Sequence, residues 1–510
     1  MRIVSASLVA VVAATVASAV RADVKLPAII SDHMVVQSEA SVPIWGWADQ
    51  GEQVKVTLAG QSQSATAGDD GRWTVTFTGL PAGGPHVLSI EGKNSLNVND
   101  VLIGEVWLGS GQSNMAMVVQ GCLNVEEEKS AANLPHIRMF TVERNSQPSP
   151  QKDCNGKWEI ANAKTVGRFS ATLYFFGRSL HKELNVPVGL INASWGGTPI
   201  EAWTSMPAQS KLEEFATIAA PWEQQKAKPW DQAKADAAYE KAMAGWRQKS
   251  KEAKAAGKPA ARAPQKQVDP RLNQNHPANL FNGMIEPLVP YAFRGAIWYQ
   301  GESNAGKEFR NLYGLQLQTL IEDWRLRFGH EFPFAWVQLP DFREPQKTPN
   351  DESTWAIVRE QMLETLKTPK TGMAVTLGLG DEKDIHPKNK QEVGKRLAMW
   401  ALHDVYGRKT ASCGPLPVEH EIRGKEVVVS FTHTEGGLKA HTGELKGFAI
   451  AGDDKTFVWA DARIEGNKVI VSSKDVAAPK AVRYAWADNP VWSLENAAGL
   501  PASPFRTDDW

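Results

Sequence analysis

The chain has 510 residues, with 56 Lys and Arg against 57 Asp and Glu, for a formal charge of −1. Its 42% hydrophobic and 22% charged content is that of a folded globular protein, and the length suggests roughly three domains. A near-zero charge excludes a global field that would attract nucleic acid or an anionic membrane surface. Cys122, Cys154 and Cys413 are the only cysteines, too few for a disulfide scaffold and without the paired spacing of a zinc site.

Residues 1–22 begin with Arg2, continue through the apolar run Leu8–Val16 and end in the small-residue stretches Ala17-Ser18-Ala19 and Val20-Arg21-Ala22. This is the pattern of a secretory signal peptide, and the apolar run is shorter than the ~20 residues of a membrane span. The mature protein is expected to be exported, to the periplasm or the extracellular space, without membrane insertion.

Residues 23–99 alternate in short stretches (Val42–Trp45, Val54–Leu58, Trp73–Phe77) separated by Gly and Asp turns, which predicts an N-terminal β-sandwich-like module. From 100 to 410 the runs Val101–Leu108, Val186–Ile191, Gly295–Tyr299, Phe334–Leu339 and Ala374–Leu377 alternate with helical stretches such as Leu312–Arg327 and Gln391–Val405. Strands alternating with helices predict an α/β domain with a parallel sheet covered on both faces. Within it, residues 223–268 hold eleven Lys and Arg against five Asp and Glu, with Pro229, Pro259 and Pro264. This basic segment lacks a nucleic-acid motif and reads as a solvated insertion, helical over 231–256. From 411 to 510 the β pattern returns (Val427–Phe431, Phe448–Ala451, Val469–Ser472). Nineteen Trp against seven Tyr suits a protein that handles sugars, whose apolar faces stack on indoles, although buried Trp is ordinary core material.

The chemistry concentrates at four turns. Gly109-Ser110-Gly111-Gln112-Ser113-Asn114 follows an apolar strand and presents Ser113 ahead of a helix, where N–H groups face developing negative charge. Asp384-Ile385-His386-Pro387 offers a base, because Pro387 biases His386 away from helical geometry. A Ser hydroxyl needs such a base, held in one tautomer by a third group. Asn192-Ala193-Ser194-Trp195-Gly196-Gly197-Thr198 has paired glycines that let backbone N–H groups approach a substrate. Trp298-Tyr299-Gln300-Gly301-Glu302-Ser303-Asn304 adds an amide and a carboxylate. The α/β-hydrolase pattern G-x-S-x-G is absent from the chain.

In combination these turns resemble the sialate O-acetylesterase family: Gly-Gln-Ser-Asn at 111–114, Ser-Trp-Gly-Gly-Thr at 194–198, Trp-Tyr-Gln-Gly-Glu-Ser-Asn at 298–304 and Asp-Ile-His-Pro at 384–387. The similarity extends to Leu26–Gln37 and to Gly499–Arg506. It implies a three-layer SGNH-type hydrolase domain between the two β regions, using serine-esterase chemistry with no metal and no cofactor. By resemblance Ser113 is the nucleophile and His386 the general base. The oxyanion hole falls to Ser113 and Gly196 or Gly197, with Gln300 as a further donor. Gln112, Asn114, Trp195 and Asn304 are candidate substrate contacts. The superfamily favours Asp three residues before the His, where this chain has Lys383, so the third triad member is Asp384 or Glu302. Local proximity favours Asp384, and the Gln-Gly-Glu block favours Glu302.

The implied activity is removal of O-acetyl groups from sugars, with sialic acid as the first substrate and acetylated xylan as the alternative. Two competing readings are a non-catalytic carbohydrate-binding protein and a glycosidase using Glu302 and Asp384, which requires the carboxylates ~5–9.5 Å apart. Export permits a disulfide, and Cys122 with Cys154 is the expected pair.

Overall fold

A computed structural model describes residues 23–259 and 261–510; the signal-peptide reading concerns residues 1–22 and lies outside them. Seven strands lead into the central domain: β1 (Val35–Gln37), β2 (Val42–Trp47), β3 (Gln53–Leu58), β4 (Gln61–Thr66), β5 (Arg72–Phe77), β6 (Gly83–Glu91) and β7 (Ser95–Gly111). In β3 every second residue is buried, the period of a strand with one face on a core. β2 pairs with β5, while β3 joins β4 to β6 and β6 continues to β7, all antiparallel.

The 17-residue β7 crosses residues 99–100 without a break. Its first half pairs with β6, and its second half is the central strand of the next sheet. The N-terminal module is therefore joined to the α/β region by a shared strand rather than a linker.

The remaining strands of that region are β8 (Leu134–Thr141), β9 (Trp158–Ala161), β10 (Val188–Ser194), β11 (Gly295–Tyr299), β12 (Phe334–Val337) and β13 (Thr371–Ala374). Their order is β13-β12-β11-β7-β10-β8-β9, parallel except for β9. Every residue of β10 and β11 is buried, as expected of strands covered on both faces. Helices Ala171–Leu184 and Lys390–Trp400 pack with Trp107, Ile297 and Val337 on one face. Helices Tyr313–Phe328 and Thr354–Glu364 pack with Leu108, Trp298 and Trp336 on the other. The expected run Ala374–Leu377 meets only the end of β13; beyond Ala374 the chain turns toward the loop that carries His386.

The 231–256 expectation corresponds to helix Gln232–Ala255, capped by Asp231, which accepts the Lys234 N–H at 3.0 Å. Only Ala235 of this helix is buried. Residues beyond 411 form two four-stranded antiparallel sheets and a short two-stranded one. They are bolted to the α/β region by buried Arg359, which donates to the Ala487 and Asp488 carbonyls at 2.7 and 3.2 Å.

The expected Cys122–Cys154 disulfide is not formed, and all three thiols are free. The reason is topological. Cys122 lies in the core on the Trp107 side of the sheet and Cys154 in the core on the Leu108 side, so the sheet separates them.

Candidate active site

Three neighbouring strands end side by side. Gly111 at the end of β7 is opposite Ser194 of β10 on one side and Tyr299 of β11 on the other. The Ser113, Trp195-Gly196-Gly197 and Gln300-Gly301-Glu302 turns therefore leave the sheet at one point. It lies where the chain, having built β8 and β10 on one side of β7, switches to β11 on the other, the crevice in which open α/β sheets bind ligands.

Close packing dictates the glycines here. Gly111 has φ +134°, and a Cβ on it would lie 2.2 Å from the Tyr299 carbonyl oxygen. No other residue fits that turn, which aims Ser113 out of the sheet edge. A Cβ on Gly196 would come within 3.2 Å of Ser113 Cβ, so the glycine loop touches the serine. Among the described residues, the N–H groups of Ser113, Gly196 and Gly197 donate no hydrogen bond, whereas the neighbouring Trp195 N–H donates to the Gly111 carbonyl at 3.0 Å. These free donors belong to turns that leave neighbouring strand ends beside the serine.

His386 lies in the loop between β13 and helix Lys390–Trp400. Its N–H donates to Asp384 Oδ1 at 2.9 Å, and its ring Nδ1 is 3.4 Å from the same oxygen. Both side chains are partly exposed. Asp384 is the one carboxylate within 4 Å of the imidazole nitrogens among the described residues. The loop is tied to the nucleophile turn by Asn114, whose Nδ2 donates to the Ile385 carbonyl at 3.0 Å and to Glu302 Oε1 at 2.5 Å. Residues adjacent to Ser113 and to His386 are thereby bonded to each other.

Glu302 is buried, and its Oε2 has no hydrogen-bond partner. Burial raises its carboxyl above the usual range, against the Asn114 hydrogen bond and the charges of Lys390 and His386. Lys390, fully buried, donates to Asn114 Oδ1 at 2.6 Å. Sequence reasoning missed it: a lysine that opens a helix after Lys388 and Asn389 reads as a solvated charge.

Three expected roles change. Asn114 was expected to bind substrate, but it is fully buried and its amide is consumed by Lys390, Glu302 and Ile385. Asn304 is also turned inward, donating to Glu201 and accepting from Ile200 and Gln300. Gln300, expected as an oxyanion donor, is fully buried; its Nε2 points to Thr198 O, Gln112 Oε1 and Asn304 Oδ1. These amides brace the turns from beneath. Gln112 accepts from Gln300 and from the Ser303 N–H. Trp195 stays half-buried beside the glycines, with the exposed Arg144 guanidinium 5.7 Å from its ring centroid.

The chain is similar to known proteins over most of its length. The family described as "Carbohydrate esterase, sialic acid-specific acetylesterase" matches residues 103–258 and 274–403. Sialate O-acetylesterase of Rattus norvegicus is 30% identical, covering 93% of each chain, and that of Homo sapiens is 30% identical over 93% of this chain and 91% of its own. The crystal structure of XAC1771, described as a novel carbohydrate acetylesterase from Xanthomonas citri, superposes with a TM-score of 0.81 at 34% identity, covering 96% of this chain and all of that one. The chain belongs to the sialic acid-specific acetylesterase family of carbohydrate esterases.

Proposed function

We propose that this protein is an exported serine esterase of the SGNH type that removes acetyl groups from O-acetylated sialic acids. The observation that carries the reading is the register of β10, β7 and β11, which gathers Ser113 and the undonated N–H groups of Ser113, Gly196 and Gly197 at one point. Ser113 Oγ attacks the acetyl carbonyl carbon while His386 takes the hydroxyl proton. The carbonyl π electrons move onto oxygen, where the free N–H groups meet the charge. Collapse of this intermediate breaks the bond to the sugar oxygen, which leaves with the proton from His386. Water, deprotonated by His386 in turn, attacks acetyl-Ser113 and releases acetate, regenerating the hydroxyl. Asp384 holds the imidazole in one tautomer and stabilises its cation.

The sialic acid assignment draws on Arg144. Its guanidinium is exposed beside Trp195 and has no ion pair among the described residues, which suits a sugar bearing a carboxylate. The decisive experiment compares a chromogenic acetyl ester with an aryl glycoside, then O-acetylated sialic acid with acetylated xylo-oligosaccharide. Turnover of the ester and of the acidic sugar is expected. Preference for the xylan substrate would reassign the sugar, glycoside turnover would favour Glu302 and Asp384 as a glycosidase pair, and no turnover would leave a binding protein.

A further inference from the structure

We propose that Lys390 is a positioning residue of the esterase site: its ammonium holds the Asn114 carboxamide in the one orientation that fastens the nucleophile turn to the His386 loop and to Glu302. This rests on the serine-esterase reading above and assigns a role to a side chain outside the triad.

An ammonium has donors and no acceptor. The Asn114 atom 2.6 Å from Lys390 Nζ is therefore the carbonyl Oδ1, and the amide cannot flip without placing its own N–H groups against a cation. With Oδ1 fixed, Nδ2 has two hydrogens and two acceptors, Glu302 Oε1 and the Ile385 carbonyl. Ser113 precedes Asn114 and Ile385 precedes His386, so one carboxamide sets the spacing between nucleophile and base.

The charge has no evident structural use. Lys390 is fully buried, with no ion pair among the described residues, and its Nζ lies 5.0 Å above the Tyr299 ring centroid. A buried cation without a direct counter-ion is costly to hold in a fold. Strongly perturbed charges in a cleft accompany functional sites. Burial, opposed by the nearby acids Glu302 and Asp384, pushes the Lys390 ammonium down to about 8. The groups around the pair are Cys122 from the turn preceding helix Val125–Ser130, Glu302 and Tyr299 from the β11 end, and Asp384 and His386 from the loop.

The test follows the rate at which a fluorophosphonate labels Ser113, together with kcat and KM on a chromogenic acetyl ester, from pH 5 to 10. The proteins are the wild type, Lys390→Met and Lys390→Arg. Lys390→Met is expected to retain its Tm and its KM within about threefold, while kcat and labelling fall by about 10- to 100-fold, the scale of a small misplacement of reacting groups. The wild type should lose labelling rate as pH rises through about 8, and Lys390→Arg, which keeps its charge, should extend that plateau upward. Unchanged rates and pH profiles in Lys390→Met would overturn the proposal. If that variant does not fold, an alkaline limb shared by wild type and Lys390→Arg would overturn it instead. Absence of label on Ser113 in the wild type would count against the serine reading itself, a separate outcome.

Discussion

Glu105 and Glu302 are buried glutamates at opposite ends of one parallel sheet, and their surroundings differ in kind. Glu105 sits where β7 enters the sheet and is saturated. Its carboxylate accepts from Arg294 at 2.7 and 2.9 Å, Tyr406 at 2.8 Å, Ser38 at 3.0 Å and Gln37 at 3.2 Å. Burial pushes it upward, yet Arg294 and the hydroxyl and amide donors hold it below its ordinary value. Glu302, where β11 leaves the sheet, keeps one oxygen unpartnered and is raised. A cavity of about 820 Å³ lies at the Glu105 end, lined by Gln37, Phe293, His330, Phe332 and Trp400. The end of the sheet with this cavity thus carries a saturated glutamate that joins modules, while the free N–H donors and the unsatisfied carboxylate gather at the other end. A carboxylate with one free oxygen beside undonated N–H groups, rather than cavity volume, points to the candidate site.

The sharpest way to break this contrast is Ser113→Ala. Turnover of an acetyl ester should fall by at least about 10³-fold, leaving the residual rate that binding and oxyanion contacts provide. Thermal melting should stay near that of the wild type, since Ser113 is only half-buried. Near-normal turnover in this variant would move the chemistry away from the β7 end altogether.

The two acids at that end come next. Asp384→Asn should lower kcat by up to about 10⁴-fold, because the imidazole loses the carboxylate 3.4 Å from Nδ1. Glu302→Gln should cost no more than about tenfold and leave Tm unchanged or raised. Its carboxyl is shifted upward in the folded protein, so above the unfolded value its ionised form weakens the fold, and a neutral amide removes that cost. Measured on one ester at one pH, the reverse order would make the triad Ser113, His386 and Glu302.

Much of this end is readable from sequence because it depends on chain direction. Apolar runs such as Gly295–Tyr299 end in glycine turns, and parallel strands bring their ends together whatever the intervening loops do. Helix Gln232–Ala255 is likewise legible from an Ala- and Lys-rich run behind an Asp cap. The inward roles of Asn114, Gln300 and Asn304 are not. Strands and helices have a period that tells inside from outside, but a turn has none, so polar residues around a nucleophile look alike until their bonds are seen. Cys122 and Cys154 fail for a related reason: spacing along the chain does not reveal which face of the sheet each residue occupies.

At the opposite end, Glu105→Gln tests the same contrast through stability. A neutral amide leaves the Arg294 guanidinium without its bidentate counter-ion, and breaking a buried pair costs about 3–5 kcal/mol; Arg294 is partly exposed, so the lower part of that range is expected. The specific activity of the folded fraction should be unaltered. The pH dependence has a definite sign. Glu105 is lowered in the folded protein, so its contribution is present above the unfolded value and disappears as pH falls through the folded one. Wild type and variant should therefore converge in denaturant midpoint on acidification. A variant that loses activity while keeping its stability would show that this end also serves catalysis.

The smallest effect belongs to the basic insertion, which contacts neither glutamate. Its hydrogen bonds and ion pairs are largely internal: Trp246 Nε1 donates to the Ala261 carbonyl at 2.7 Å, and Lys266 pairs with Asp236 at 3.0 Å. Ala235 is the one residue of its long helix that is buried. Trp222, at the base, packs against His276 with centroids 5.4 Å apart and is best kept. Replacing 230–266 with a short Gly/Ser linker removes little apolar burial, and shortening a surface loop changes closure entropy only slightly. Tm should shift by no more than about 2 °C, and kcat/KM on a small acetyl ester should stay within about twofold. Differential scanning calorimetry and ester kinetics on the shortened chain check both values. A fall in Tm well beyond this would mean that the helix buries surface against the α/β region that its exposed residues do not reveal. A loss of activity confined to long acetylated glycans would instead make the eleven cationic residues of this segment an extension of the binding surface that begins at Arg144.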